Sequence, residues 1–176
     1  MISRPIFGQY RMAMRGELDR RFGDAEEPLD GETVRKALTA AELYWVTTIR
    51  RDSRPHVTPV IGLWFEDSFV FCTGGGEQKA RNLEHHDAVA VTTGTNTWND
   101  GLDVVVEGRA QRVLGLERLT ALADEYRDKY GDAWDFDADD TVFDPDGGRA
   151  HVFQVEPTKV IAFAKAPHGQ TTFRWK

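Results

Sequence analysis

Apolar positions change period several times along the chain. Residues 1–29 show no clean period and end in the polar run Gly23-Asp24-Ala25-Glu26-Glu27-Pro28, so a short helical or irregular arm is expected there. Val34, Ala37, Leu38 and Ala41 then recur at i, i+3, i+4 and i+7. That spacing predicts a one-faced helix, with Asp30 placed to cap it. The period shortens in Tyr44-Trp45-Val46-Thr47-Thr48-Ile49, where aromatic and β-branched residues suit a pleated surface. Residues 51–54 are turn chemistry, residues 56–63 read as a second strand, and residues 69–73 follow as a third after Glu66-Asp67-Ser68. Turns this short force neighbouring strands to run antiparallel.

Gly74-Gly75-Gly76 interrupts the pattern, and residues 77–86 read as a short helix with Ala80 and Leu83 inward. Residues 88–92 predict a fourth strand. A polar loop at 95–101 leads into a long fifth strand over 102–113. Leu116, Leu119, Ala123, Tyr126 and Tyr130 lie on one stripe of a helix over 116–130. An acidic loop, 131–149, is expected to be solvated. Two further strands, 151–155 and 159–164, are expected to be separated at Glu156-Pro157. Hairpin-linked strands with helices as interruptions argue against a doubly wound sheet. Closing the strand edges points to a mainly β fold, an antiparallel barrel with helices packed outside.

A length of 176 residues suits a single domain. The 22 Lys and Arg against 29 Asp and Glu give a net charge of −7, which disfavours a nucleic-acid partner. One cysteine, Cys72, excludes an internal disulfide framework and any multi-cysteine zinc site. No apolar run approaches the roughly 18 residues of a membrane span, and the first residues lack the apolar core of a signal peptide. A cytoplasmic protein with no membrane partner is the expectation.

The stretch Thr73-Gly74-Gly75-Gly76-Glu77-Gln78-Lys79-Ala80-Arg81-Asn82 offers candidate chemistry. Glycines admit an oxyanion close to the backbone, and Lys79 and Arg81 could add charge-assisted bonds to a phosphate. Neither Gly-Lys-Ser/Thr nor G-x-G-x-x-G accompanies it, so a flexible turn with two solvated cations stays open. Asp135, Asp137, Asp139 and Asp146 fall on positions 1, 3, 5 and 12 of a calcium loop. Asp140 at the obligatory glycine position speaks against calcium there, and no metal site is expected. The five histidines are scattered, His56 reads as a hydrogen-bonded structural residue, and Cys72 as a buried thiol. No G-x-S-x-G anchors a hydrolase triad. Trp98, alone among polar loop residues, could stack on a planar ligand or plug a dimer interface.

Four stretches, in their order and spacing, resemble the split β-barrel flavin- and deazaflavin-binding proteins related to pyridoxamine 5′-phosphate oxidase. They are residues 41–48 continuing through Arg54-Pro55-His56-Val57-Thr58-Pro59-Val60; Thr73 through Leu83; Val104-Val105-Val106-Glu107-Gly108-Arg109-Ala110; and Pro157-Thr158-Lys159-Val160 with Gln170-Thr171-Thr172-Phe173-Arg174-Trp175. The resemblance covers residues 30–176 as one split-barrel domain, and it implies a homodimer. Its cofactor, FMN or the deazaflavin coenzyme F420, would lie in a cleft between subunits. Val57, Thr58, Pro59 and Val60 would line the ring system. Lys79 and Arg81 would hold the phosphate, with Thr73 and Asn82 nearby. Trp98, Arg174 and Trp175 would come from the other subunit. The helix 116–130 and the acidic loop resemble a branch in which many members use the deazaflavin. Thr172 stands where the family's closing pattern has an arginine, and the residues that bind a pyridoxal substrate are not evident. The implied activity is hydride transfer to a small unsaturated or quinone-like acceptor. It needs no acid–base pair, and no catalytic residue is assigned. A non-catalytic flavin or deazaflavin carrier and a haem-binding or haem-degrading protein are the alternatives.

Overall fold

The computed structural model describes residues 15–144 and 146–174. Strand β1 (Glu17–Gly23) precedes helix α1 (Gly31–Ala40), followed by β2 (Tyr44–Ile49), β3 (Pro55–Val60), β4 (Leu63–Phe65) and β5 (Ser68–Gly74). The short helix α2 (Gln78–Leu83) separates these from β6 (Ala88–Gly94) and β7 (Leu102–Arg112). Helix α3 (Leu116–Tyr130) and a loop lead to β8 (Ala150–Lys165) and β9 (His168–Arg174). Among the described residues every strand pair is antiparallel.

The strands run in the order β1-β9-β8-β7-β6-β2-β3, while β5 pairs with β4 and β8. Strand β8 is long enough to be shared: residues 150–155 face β5 and residues 159–165 face β9. That sharing splits the sheet into two halves, and the passage of β3 into β4 closes the barrel. The fold is an antiparallel split β-barrel.

Three expectations are corrected. Residues 17–23 are neither helical nor irregular but form β1 against β9, with Leu18 opposite Thr171. Most of β1 is exposed, so its order comes from the backbone ladder, which leaves no hydrophobic period to read. The strand expected over 56–63 divides at Ile61-Gly62, β3 pairing with β2 and β4 with β5. A Cβ on Gly62 would lie 2.5 Å from the Phe69 ring, so the turn needs a bare backbone. The break expected at Pro157 is instead a bulge inside continuous β8, where Glu107 pairs with Lys159 and Gly108 with Pro157. The extra residue, Thr158, absorbs the proline without ending the ladder.

Asp30 caps α1 by accepting from the Thr33 N–H at 3.2 Å, and α1 buries Val34 and Leu38 in the barrel core. Tyr44, Phe69, Phe71 and Phe153 form a chain of ring contacts through that core, with centroids 4.6 to 5.9 Å apart. Helix α3 covers the outer side of β5 and β8 with Leu119, Leu122, Ala123 and Tyr126. Leu116, expected on that stripe, is exposed, and Leu122 takes the place inside.

The loop 131–149 is not merely solvated. Phe136 stacks on Phe143 at 4.8 Å, and Val142 and Phe143 are buried. Its carboxylates have local work: Asp139 accepts from the Thr141 and Val142 N–H groups, and Asp140 accepts from the Leu116 N–H at the start of α3. Among the described residues no group of three or more potential metal ligands comes together, and no helix is long and apolar enough to cross a membrane.

Candidate functional site

Helix α2 seals the end of the barrel where β2 finishes and β3 begins. Its sequence alternates sharply in burial: Lys79, Ala80 and Asn82 are buried, Arg81 is exposed. The Asn82 Nδ2 donates to Thr48 Oγ1 at 2.8 Å, and Gln78 Nε2 donates to Asn82 Oδ1 at 2.7 Å. Thr48 Oγ1 donates in turn to the His56 carbonyl at 3.4 Å, so one polar chain ties α2 to β2 and β3.

The anion at the glycine turn is the protein's own. Glu77 accepts from the Gly74 N–H at 2.9 Å and pairs with the Lys79 ammonium. Burial alone would raise the Glu77 carboxyl. The bonds from Lys79, Gly74 and Thr73 outweigh it and hold the group below the usual carboxylate range. Thr73 itself is buried beside this pair. With only six residues and no side-chain cap, α2 offers a charged side chain here rather than a helix terminus. Lys79 and Arg81, expected to act together, point in different directions.

Strand β3 ends the sheet path, so among the described residues its far edge pairs with no strand. Val57 is 55% exposed and Pro59 is exposed on the outer face, while His56, Thr58 and Val60 turn inward. The His56 Nδ1 and Thr58 Oγ1 atoms are buried without a hydrogen-bond partner. The expectation of a hydrogen-bonded structural His56 is therefore wrong at this nitrogen. Burial pushes the His56 pKa down and Arg50 and Lys79 push the same way, so the imidazole is neutral at neutral pH. Cys72, expected to be buried, is only partly so, yet desolvation still pushes its thiol up to about 12.

Beside α2 lies a groove of about 390 Å³. Arg50, Arg51 and Arg54 from the β2–β3 turn and Gln78, Arg81 and Asn82 from α2 line it, with Asp52, Glu84 and His85. Arg54 pairs with Asp52 at 2.8 Å. Arg50, Arg51 and Arg81 make no side-chain ion pair or hydrogen bond among the described residues. Reading residues 51–54 as turn chemistry missed this surface. The doubled arginine before a tight turn in an acidic chain was the available signal. Nothing in the residue order marks Glu77 as the partner of Lys79.

Of the remaining candidates, Trp98 lies away from α2 within one chain. Trp98 is 80% exposed in the β6–β7 loop, which Lys165 anchors through Thr97 O at 2.6 Å and Asp103 Oδ1 at 2.8 Å. That loop leaves the Gly94 end of β6 and α2 enters at the Ala88 end, six residue steps or roughly 20 Å apart. Arg174 is exposed on the row Val57, Thr47, Ala90, Glu107, Lys159, Arg174, five strands along the curved sheet from Val57. Trp175 lies outside the described residues. The chain thus brings together β3, Thr73, Lys79 and Asn82, with Arg81 on the adjoining groove, and leaves Trp98 apart. The assembled set suits a ligand with a planar polar body and an anionic end: an open strand edge, two unpartnered polar atoms, and cations on one short helix.

Residues 31–164 match the protein-family model described as Pyridoxamine 5'-phosphate oxidase. No curated protein matches the chain. Among solved structures, a heme binding protein from Mycobacterium smegmatis aligns with a TM-score of 0.67 and 17% identity, over 85% of this chain and 60% of that one. A FAD-binding protein from Mesorhizobium loti gives a TM-score of 0.58 at 17% identity, covering 82% of this chain and 94% of its own. A pyridoxamine 5'-phosphate oxidase-related, FMN binding protein from Nostoc punctiforme gives 0.58 at 12% identity, with 82% and 87% covered. At these identities the likeness is one of fold.

Proposed function

Because the chain belongs to the pyridoxamine 5′-phosphate oxidase family, we propose that it is an oxidoreductase binding a flavin or deazaflavin between two copies of itself. Its acceptor would be a small unsaturated or quinone-like molecule. The observation that carries this reading is the open edge of β3, with the unpartnered His56 Nδ1 and Thr58 Oγ1, beside the buried Lys79 of α2. When bound, the cofactor supplies the hydride. Residues 57–60 line its ring and keep water from one face. Lys79 holds its phosphate end, Arg81 faces that end from the adjoining groove, and Asn82 and Thr73 fix that end of the barrel.

Two copies are needed on this reading. On this reading Trp98, at the end of β6 away from α2, completes the site from the partner subunit, with Arg174 as a second partner contribution. The outer face between them supports such an interface: Trp45 is 40% and Val57 55% exposed, with Val105 and Ile161 partly buried on neighbouring strands.

Glu77 sets a specific test, because a phosphate reaching Lys79 must displace its carboxylate. Flavin fluorescence titration should show Lys79→Ala weakening FMN affinity at least tenfold, while Glu77→Gln tightens it several-fold. Unchanged affinity in both variants would remove Lys79 from the site. Stopped-flow reoxidation of the reduced complex then separates enzyme from carrier: acceleration by an added quinone is expected, and none identifies a carrier. A Soret band on haem addition, with no flavin bound by the wild type, would replace the flavin reading by a haem one.

A further inference from the structure

The lysines of the chain differ in what neutralises them. Lys79, Lys159 and Lys165 pair with the carboxylates of Glu77, Glu107 and Asp103 in turn. Lys36 is exposed on α1, and Lys176 lies outside the described residues. Lys129, in the last turn of α3, is half-buried and pairs with no carboxylate among the described residues. Its nitrogen donates instead to Tyr44 Oη at 3.1 Å and to the Gly62 carbonyl at 2.9 Å, at the end of β2 away from α2.

These neighbours cannot supply the missing charge. Burial pushes the Tyr44 and Tyr130 hydroxyls above the ordinary phenol range, so both stay neutral. Their rings, 5.1 and 5.2 Å from the nitrogen, orient it without acting as a counter-ion. The Glu42 carboxylate favours the ammonium, but desolvation outweighs it and pushes the lysine down to about 8. Roughly a quarter of the side chain is then neutral at pH 7.5, against about a thousandth of an ordinary lysine.

The neutral amine gives up little. Two N–H groups serve Tyr44 and Gly62, and among the described residues the third N–H of the ammonium has no acceptor. The neutral form keeps both bonds and carries its lone pair at the third position. Because the side chain is only half-buried, a small reactant can reach it. A desolvated lysine of this kind is nucleophilic near neutral pH. Two ring faces and the Glu42 carboxylate around it suit an uncharged reactant rather than an anion.

We propose that Lys129 is a covalent capture site for small uncharged aldehydes. The amine nitrogen bonds to the carbonyl carbon, and the carbonyl oxygen leaves as water with both amine protons, giving an imine with no change of oxidation state. The step strands no buried group. The Gly62 carbonyl still accepts from Tyr130 Oη at 2.8 Å, and Tyr44 Oη still donates to the Leu38 carbonyl. The site stands apart from the cleft read as a flavin site and does not depend on that reading.

The test is reductive trapping on the wild-type full chain with propanal and cyanoborohydride, read by peptide mass spectrometry. Lys36 is the reference, since it is exposed. At pH 7.5 Lys129 is expected to be labelled at least fivefold faster than Lys36. The ratio of the two rates should fall at least tenfold between pH 7 and 10, because Lys36 keeps gaining neutral amine after Lys129 is fully deprotonated. Trapping at Lys129 no faster than at Lys36, or a ratio unchanged by pH, would overturn the proposal.

Discussion

Single side chains in this barrel are held in states that water would not permit. Lys129 is half-buried, with its ammonium donating to Tyr44 Oη at 3.1 Å and to the Gly62 carbonyl at 2.9 Å. The Tyr44 and Tyr130 rings lie 5.1 and 5.2 Å from it. Desolvation pushes its pKa down to about 8, with Glu42 opposing. The unfolded chain therefore binds more protons than the folded one above pH 8, and the lysine's cost to stability is relieved as pH rises from about 8 to 10. Cys72 acts in the opposite sense over the same range, because its thiol is pushed up in the folded state. Subtracting a variant isolates the lysine. Urea denaturation should show wild type gaining on Lys129→Met by on the order of 1 kcal/mol between pH 8 and 10, after allowing for screening of a half-exposed group. Parallel pH profiles for the two proteins would show the ammonium to be solvated.

Secondary-structure elements were legible where burial was one-sided. Helices α1 and α3 and strands β2, β6 and β7 each alternate in accordance with their period, and their predicted bounds differ from the observed ones by a few residues at most. The errors fall where a neighbour, not a periodicity, decides. Pro157 reads locally as a strand break. It is accommodated because Gly108 opposite it has no side chain: a Cβ there would lie 2.3 Å from the Glu156 carbonyl oxygen. The backbone of β8 cannot yield as a flexible side chain would. Gly108→Ala should cost about 2 kcal/mol by overpacking and, for a chain of this size, lower Tm by roughly 4–8 °C in calorimetry. A Tm within one degree of wild type would mean that the bulge relaxes freely. Helix α2 came out shorter than expected, six residues rather than ten, and its buried residues proved polar as well as apolar.

At the scale of the molecule, an unpaired strand edge, an arginine groove and an apolar outer face converge near one end of the sheet. Trp45 lies on that face, in register with Pro59 of β3 and Thr92 of β6. On the two-copy reading proposed above, Trp45→Lys should sediment as a monomer where the wild type sediments as a dimer, with Tm changed little because the side chain points away from the core. Flavin affinity should fall at least tenfold with it, as the partner's contributions to the cleft are lost. A wild type that is monomeric and still binds flavin tightly would refute the two-copy site.

The order of residues along the chain determined which segments alternate, where turns must fall, and therefore that a mainly β, hairpin-linked fold would form. Residue type alone marked the glycine turn with Lys79 and Arg81, while Thr73, Asn82 and the β3 segment entered through the resemblance to the family. Tertiary structure decided the rest. It turned Lys79 inward onto Glu77 and Arg81 outward, because residues two apart on one helix differ in direction by roughly 160° and only packing says which faces the barrel. It joined Arg50 and Arg51 of one turn to Arg81 of another element across about 30 residues of chain, a juxtaposition no local period encodes. It also placed Trp98 at the end of β6 away from α2. A strand's rise per residue is a fixed length, so the seven residues of β6 hold its two ends roughly 20 Å apart.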